Sequence, residues 1–287
     1  MTAEPADLAV VIVNYNTGEY LTRCLRSVLE SAGDARLEIA VIDNDSRDDS
    51  ATIAVARYPQ ARLVRNRSNR GFAAGVNQGI RDTTSPFILL LNPDAEILSG
   101  TLGGFLKLAR DRPRTGAMGP VVRNPDGMIY PSARKLPSIA EAVGHSFLGP
   151  FWPDNPFTRA YTMADWDRQT ERAVDWVSGS CMLLSRQALD EVGLLDERFF
   201  IYVEDADICR RLRAAGWDVV FSPELEVTHT GGVSTRRSKR MTIEHSRSIY
   251  RFFVKYHQGP GWTAVRPLVW TAVRARAALV SWRRGER

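Results

Sequence analysis

The sequence predicts a doubly wound α/β fold around a mostly parallel sheet, with a helical extension after it. Three observations lead there. Continuous apolar runs mark strands buried on both faces, amphipathic segments alternate with them, and polar clusters interrupt the ends of the runs. With 287 residues, 44% of them apolar and 25% charged, the chain can bury one large core and carry a short appendage.

The elements follow in order. Leu8–Asn14 (LAVVIVN) is the first buried strand, and Glu19–Ser31 has helical spacing at Leu21, Leu25, Val28 and Leu29. Leu37–Ile42 is the second strand, and the Asp/Ser-rich turn Asp43–Asp49 leads into a helix over Asp48–Tyr58. A short strand at Arg62–Arg65, a helix over Ala73–Arg81 and the buried run Phe87–Leu91 complete a βαβαβαβ alternation. Sheets of this kind take ligands beyond the carboxyl ends of their strands. The rhythm then changes. Ala117–Tyr130 contains a hairpin turned at Asn124–Gly127. Pro131–Glu171, with its prolines, scattered aromatics and no period, reads as a long irregular segment or lid. Val174–Ser185 is a strand, Asp205–Ala215 a helix, and Trp217–Ser222 and Glu226–His229 are short strands. Thr242–Tyr256 and Trp262–Arg284 are helical, the latter interrupted at Pro267.

Composition narrows the setting. Cys24, Cys181 and Cys209 are odd in number and widely spaced, as reduced cysteines are in the cytosol. Glu4 and Asp7 precede the first apolar run, unlike a secretory leader. No stretch reaches the ~20 apolar residues that span a bilayer. A cytoplasmic protein is expected. Its net charge of +5 is uneven: Arg236–Arg287 carries 13 basic and two acidic residues, leaving −6 on the remainder. A basic tail with Trp262, Trp270 and Trp282 suits an anionic membrane surface, and a solvated helix packed on the body is the plainer alternative. Arg236–Arg240 is a second candidate, as a clamp for a diphosphate.

Three polar clusters stand at strand ends: Asn14–Tyr15–Asn16, Asp43–Asn44–Asp45–Ser46 and Asn92–Pro93–Asp94. Each alone is an ordinary turn; together they favour a site. Asp94, fixed by Pro93 behind a buried strand, is suited to hold Mg²⁺ or Mn²⁺ against a diphosphate. Arg70 and Gly71, ahead of a helix, fit close approach to an anion, whereas Gly75 and Gly79 also fit tight helix–sheet packing. Three acids, Glu204, Asp205 and Asp207, open a helix directly behind Phe199, Phe200, Ile201 and Tyr202. The helix dipole accounts for acids there; the apolar approach adds a means of raising a carboxyl pKa for proton abstraction. His229, before Gly231 and Gly232, is either a structural residue or a metal ligand.

These strings together resemble the inverting glycosyltransferases of family 2, which have the GT-A fold, and most of all their rhamnosyltransferase-type branch. The matching segments include VVIVNYNTGEYLTRCLRSV, VIDNDSRDDS, NRSNRGFAAGVNQGI, LLLNPDAEI, WVSGSCMLLSR, GLLDERFFIYVEDADICRRLRAAGW and VTHTGG, across Leu8–Gly232. The resemblance implies a Rossmann-like nucleotide-binding half over 1–116, an acceptor half over 117–232 with the lid at 131–171, and the basic tail at 233–287. It implies that Tyr15, Asn16, Asp43, Arg70, Gly71, Asn77, Asn92 and Asp94 line the nucleotide-sugar site. Asp94 and His229 would hold the metal, with Asn92 standing where the family usually has a first acid. Asp205 matches the general base, and Trp176, Gly179, Ser180 and Glu204 would border the acceptor. The implied donor is dTDP-L-rhamnose, with a UDP-sugar as the alternative. The implied acceptor is a saccharide on a polyprenyl diphosphate, met by a peripheral protein at the inner face of the plasma membrane. A nucleic-acid-binding protein and a sugar nucleotidyltransferase are the rival classes. The first has no use for Asp94 or Asp205, and the second usually carries a glycine-rich loop where this chain has Asn14–Thr17.

Overall fold

The computed structural model describes residues 5–149, 151–231 and 239–284. The first half runs β1 (Leu8–Asn14), α1 (Tyr20–Glu30), β2 (Leu37–Asp43), α2 (Ser50–Arg57), β3 (Ala61–Arg65), α3 (Phe72–Arg81), β4 (Phe87–Leu91), β5 (Ala95–Ser99) and α4 (Leu102–Arg110). There follow β6 (Thr115–Arg123), β7 (Ile129–Tyr130), β8 (Ala133–Arg134), α5 (Ile139–Leu148), α6 (Pro156–Thr162), β9 (Arg172–Ala173), β10 (Trp176–Val177) and β11 (Cys181–Ser185). The chain ends with α7 (Arg186–Val192), α8 (Glu204–Ala214), β12 (Asp218–His229), α9 (Lys239–Tyr256) and α10 (Pro260–Arg284).

The main sheet has the order β3-β2-β1-β4-β11-β6-β12-β5. β1 is parallel to β2 and β4, β2 to β3, and β6 to β12; β11 and β5 run antiparallel to their neighbours. The alternation of β1 shows why its sequence is apolar throughout. Val11 and Val13 face one core with Val76 of α3 and Ile208 of α8, while Val10 and Ile12 face a second with Leu25 of α1 and Ala54 of α2. Gly75 and Gly79 let α3 lie on β1, for a Cβ there would meet the Val13 and Val11 side chains at 2.9 and 2.4 Å. The packing reading of that glycine pair holds.

Several expectations change. Val174–Ser185 is two strands, β10 and β11, parted at Ser178–Ser180. The expected pair of strands before His229 is one strand, β12, with an irregular register between Phe221 and Glu226. The segment at 131–171 is not irregular: it holds β8, α5 and α6. α5 is entered through a Ser138/Glu141 capping box, and α6 through Asn155 followed by Pro156. The described part of the basic segment packs on the body, the plainer of the two readings. In α9, Lys255 and Tyr256 reach Asp207 of α8, and the Ser248 hydroxyl donates to the Ile201 carbonyl at 2.9 Å. α10 packs on α9 and continues through Pro267. Most of the Arg236–Arg240 clamp lies outside the described residues; Arg240 lies over the Phe200 ring at 5.3 Å.

Candidate active site

At the carboxyl ends of β1 and β2 the polar clusters are bonded to one another. Asn14, fully buried, donates from Nδ2 to Asp43 Oδ1 (2.8 Å), Ser46 Oγ (3.1 Å) and Ser50 Oγ (3.0 Å). Asn16, at φ 51°, accepts from the Arg47 N–H at 2.7 Å, and its own N–H donates to Ser46 Oγ at 3.0 Å. Asn44 donates to the Gly71 carbonyl at 2.9 Å. Gly71 has φ 91°, and a Cβ there would lie 2.6 Å from the Phe200 carbonyl oxygen. That oxygen also accepts the Phe72 N–H at 2.7 Å, so the loop before α3 rests directly on the segment leading to α8.

The next corner is set by strand pairing. Antiparallel register between β12 and β5 puts His229 opposite Ala95, which brings its ring onto the Asn92–Asp94 turn. His229 Nε2 lies 3.0 Å from Asn92 Nδ2 and 3.1 Å from Asp94 Oδ1. The Thr230 N–H donates to the Asp94 carbonyl at 3.1 Å, and the Ala95 N–H to that of Asn92 at 3.0 Å, which fixes the turn. A buried carboxylate and an imidazole nitrogen thus converge. Among the described residues no group of three or more His, Cys, Asp or Glu side chains forms a metal-ligating cluster. Two protein donors suit a cation that takes its remaining ligands from phosphate and water.

The start of α8 lines the same cavity as that turn. Tyr202 and Val203 hold φ of 66° and 73°, a left-handed conformation that costs a bulky residue about 1–3 kcal/mol. It delivers the first turn of the helix into the cleft. Asp205 accepts from the Gly179 N–H at 3.0 Å through Oδ2 and from the Ala206 N–H at 2.8 Å through Oδ1. Burial pushes its carboxyl above the ordinary range, opposed by those two N–H groups and by Arg134. Glu204 is pushed well up by burial and by the Asp205 charge, and its Oε2 has no hydrogen-bond partner among the described residues. Asp207 is different: Arg211, Lys255 and Tyr256 consume its carboxylate inside the core. The acid cluster is therefore sorted into two groups at the cleft and one that anchors α9.

Asp94 and Asp205 line one cavity of about 1060 Å³. The bridge between their segments is Gly179–Ser180: the Gly179 N–H holds Asp205, and the Ser180 carbonyl accepts the Asn92 N–H at 2.9 Å. The same cavity takes in Tyr15, Gly71, Asn92, Trp176, Gly179, Ser180, Glu204 and His229. Asn16, Asp43, Arg70 and Asn77 do not line it. Asp43 is turned onto Asn14, next to Asn44, which does line it, and Arg70 is exposed. Asn77 is placed elsewhere. Its amide clasps the Leu195 backbone, Nδ2 to the carbonyl at 2.8 Å and Oδ1 from the N–H at 3.0 Å, and also meets Glu197.

Sequence reasoning missed Arg134. This guanidinium, on the two-residue strand β8, bonds Tyr161 Oη (3.1 Å), Tyr130 Oη (2.7 Å) and the Pro131 carbonyl, and lies over the rings of Tyr130, Tyr161 and Trp176. No local pattern in PSARK distinguishes it; the signal exists only once β8 pairs with β10.

Comparison with known proteins bears on family and fold. A family model described as "Glycosyltransferase like family 2" matches residues 5–251. N-acetylglucosaminyl-diphospho-decaprenol L-rhamnosyltransferase of Mycobacterium tuberculosis is 40% identical over 286 residues, covering 96% of this chain and 91% of that protein. Rhamnosyltransferase WbbL of Escherichia coli is 24% identical over 253 residues, 86% of this chain and 92% of that protein. Among solved structures, GalNAc-T7 with UDP, GalNAc and Mn²⁺ superposes with a TM-score of 0.61 at 16% identity, covering 86% of this chain and 48% of that one. The mannosyltransferase PcManGT of Pyrobaculum calidifontis, in complex with GDP-Man and Mn²⁺, gives 0.58 at 15% identity, covering 97% and 76%.

Proposed function

The chain belongs to glycosyltransferase-like family 2 and has the GT-A fold, and from that premise we propose that it moves L-rhamnose from dTDP-L-rhamnose onto a hydroxyl of a saccharide carried on a polyprenyl diphosphate, in cell-wall or surface-polysaccharide synthesis. The observation that carries the reading is the one cavity lined by both the Asp94–His229 pair and Asp205. The near full-length similarity to an enzyme named for such an acceptor supports the substrate pair.

Asp205 performs the proton transfer. The Gly179 and Ala206 N–H groups each occupy one acceptor position on its two oxygens, leaving lone pairs for an acceptor hydroxyl. As Asp205 takes that proton, the hydroxyl oxygen bonds to the anomeric carbon. The carbon–oxygen bond to the diphosphate breaks, with its electron pair leaving on dTDP. One displacement inverts the centre, so β-linked dTDP-L-rhamnose yields an α-rhamnoside. Glu204, buried and with a free oxygen, receives a second hydroxyl of the acceptor and holds it in line. At the donor end Asp94 and His229 would hold a divalent cation, and the chemistry it would supply there is Lewis-acid stabilisation of the charge on the departing diphosphate. Their mixed oxygen and nitrogen donors favour Mn²⁺ over Mg²⁺.

No helix of the described residues is long and apolar enough to cross a membrane. The protein meets its acceptor peripherally, at the inner face of the plasma membrane, where Phe151 and Trp152, 64% and 55% exposed, offer apolar contact.

The test is incubation with labelled dTDP-L-rhamnose and with UDP-sugars, with a GlcNAc-diphosphoryl-prenyl acceptor, with and without Mn²⁺. Metal-dependent release of dTDP and a rhamnosylated lipid is the expected result. Release of UDP alone would reassign the donor, and pyrophosphate chemistry would reject transfer altogether.

A further inference from the structure

The cavity continues past the reacting groups. Arg134, His145 on α5 and Arg276 on α10 line it too, with the Asp205 charge acting on Arg134 and those of Arg134 and Arg276 acting on His145. These three side chains are close. His145 stacks on Tyr161 with centroids 4.9 Å apart, and Tyr161 Oη accepts from Arg134. Burial, and then the charges of Arg134 and Arg276, hold the His145 imidazole below its usual pKa. Arg134 makes no ion pair among the described residues: its partners are two phenols, a carbonyl and aromatic faces, and Asp205 is the acid whose charge acts on it. The Arg134 guanidinium, in a dehydrated recess, carries a desolvation cost that an anion would offset, and Arg276 lines the same cavity with a second positive charge.

Farther out the wall turns apolar. Ile139 and Val143 of α5 and Val265 and Leu268 of α10 line the cavity, yet they are 43%, 52%, 37% and 71% exposed. They therefore form its mouth. A mouth of large aliphatic side chains open to water is unfavourable unless something apolar covers it. The order along the cavity is acid, then base-rich step, then apolar opening. A lipid diphosphate ester has the matching order of sugar, diphosphate and hydrocarbon.

We propose that this arm is the acceptor's lipid-diphosphate subsite, in which Arg134 and Arg276 receive the diphosphate and the facing walls of α5 and α10 receive the first prenyl units. It rests on the polyprenyl-diphosphate acceptor read above, and it assigns residues to a part of that acceptor remote from the transferred sugar. Arg supplies planar, forked donors suited to phosphate oxygens, and the apolar mouth directs the chain outward to the leaflet.

Binding, rather than turnover, tests it. Geranylgeranyl diphosphate, geranylgeraniol and inorganic pyrophosphate are titrated into the full-length protein by calorimetry, with and without saturating dTDP. The prenyl diphosphate is expected to bind more than about tenfold more tightly than either fragment, and dTDP should not displace it. Arg276→Gln should weaken prenyl diphosphate binding about tenfold while leaving dTDP affinity and the melting temperature in place. Arg134→Lys should weaken it similarly with dTDP affinity unchanged and some loss of melting temperature, since the Arg134 fork also bonds Tyr130 and Tyr161. Val269→Asp, on the α10 wall, should weaken the prenyl diphosphate but not pyrophosphate. Equal affinity for pyrophosphate and the prenyl ester, displacement by dTDP, or arginine variants that fold and bind normally would each overturn the subsite. If the prenyl diphosphate binds as expected but dTDP-L-rhamnose is not consumed, the donor reading fails and the subsite stands. The reverse result removes the subsite alone.

Discussion

The two ends of the cavity are built on different plans. At the donor end, short polar side chains sit on strand ends and bond to one another: Asn14 to Asp43, Asn44 to Gly71, His229 to the Asn92–Asp94 turn. At the other end helices α5, α8 and α10 supply much of the wall, and the short strands β8 and β10 add Arg134 and Trp176. The first plan fixes positions to within a hydrogen bond, as a metal and a diphosphate require. The second leaves a wide, apolar opening, as a flexible lipid requires. Asp205 belongs to a helix but is tied by Gly179 to the strand side, so it stands where the two plans meet.

That difference can be broken at its junction first. Asp205→Asn should lower turnover about 10²–10⁴-fold while dTDP affinity is unchanged, measured by steady-state kinetics and calorimetry. Because burial raises the Asp205 carboxyl, wild-type turnover should fail, as pH drops, at a higher pH than an exposed aspartate would give. On the donor side, Asp94→Ala should weaken metal-dependent donor binding about 10–100-fold, with partial recovery at high Mn²⁺ in the same assay. Asn77→Ala should cost about 1–3 kcal/mol in urea unfolding, by stranding the Leu195 backbone, and leave donor affinity alone.

The smallest expected effect is at Glu204. Its folded-state pKa is raised, so its contribution to stability is complete below the ordinary glutamate pKa and is lost as pH rises toward the folded value. Glu204→Gln removes that loss. The variant should melt about 2–4 °C higher than wild type at pH 8, for a gain of about 1 kcal/mol, and the gap should close near pH 4.

The strand-end clusters were legible in the sequence, because polar residues that interrupt a buried apolar run are conspicuous, but of the eight residues expected at the donor Asn16, Asp43, Arg70 and Asn77 do not line the cavity. Asn14, Asp43 and the Asn92–Pro93–Asp94 turn stand directly behind LAVVIV, LEIAVI and FILLL. Much of the acceptor end was not. α5 and α6 were read as a lid because aromatics and prolines hid their period, although the Ser138/Glu141 box and Asn155–Pro156 marked both starts. Asn77 carried the right residue type in the right string, and only the packing of α3 against Leu195 shows where its amide goes. Arg134 is invisible in sequence because its neighbours are assembled from four separate segments. The basic tail, judged by charge, concealed Lys255 and Tyr256, which bind the third acid of the Glu204–Asp207 cluster.

One measurement bears on the whole arrangement: the anomeric configuration of the first product formed from β-linked dTDP-L-rhamnose, followed by NMR before any equilibration. A single displacement across the cleft between Asp94 and Asp205 predicts an α-rhamnoside from the first turnover. A β-rhamnoside would contradict it, since retention needs a second nucleophile where this cavity places the acceptor hydroxyl.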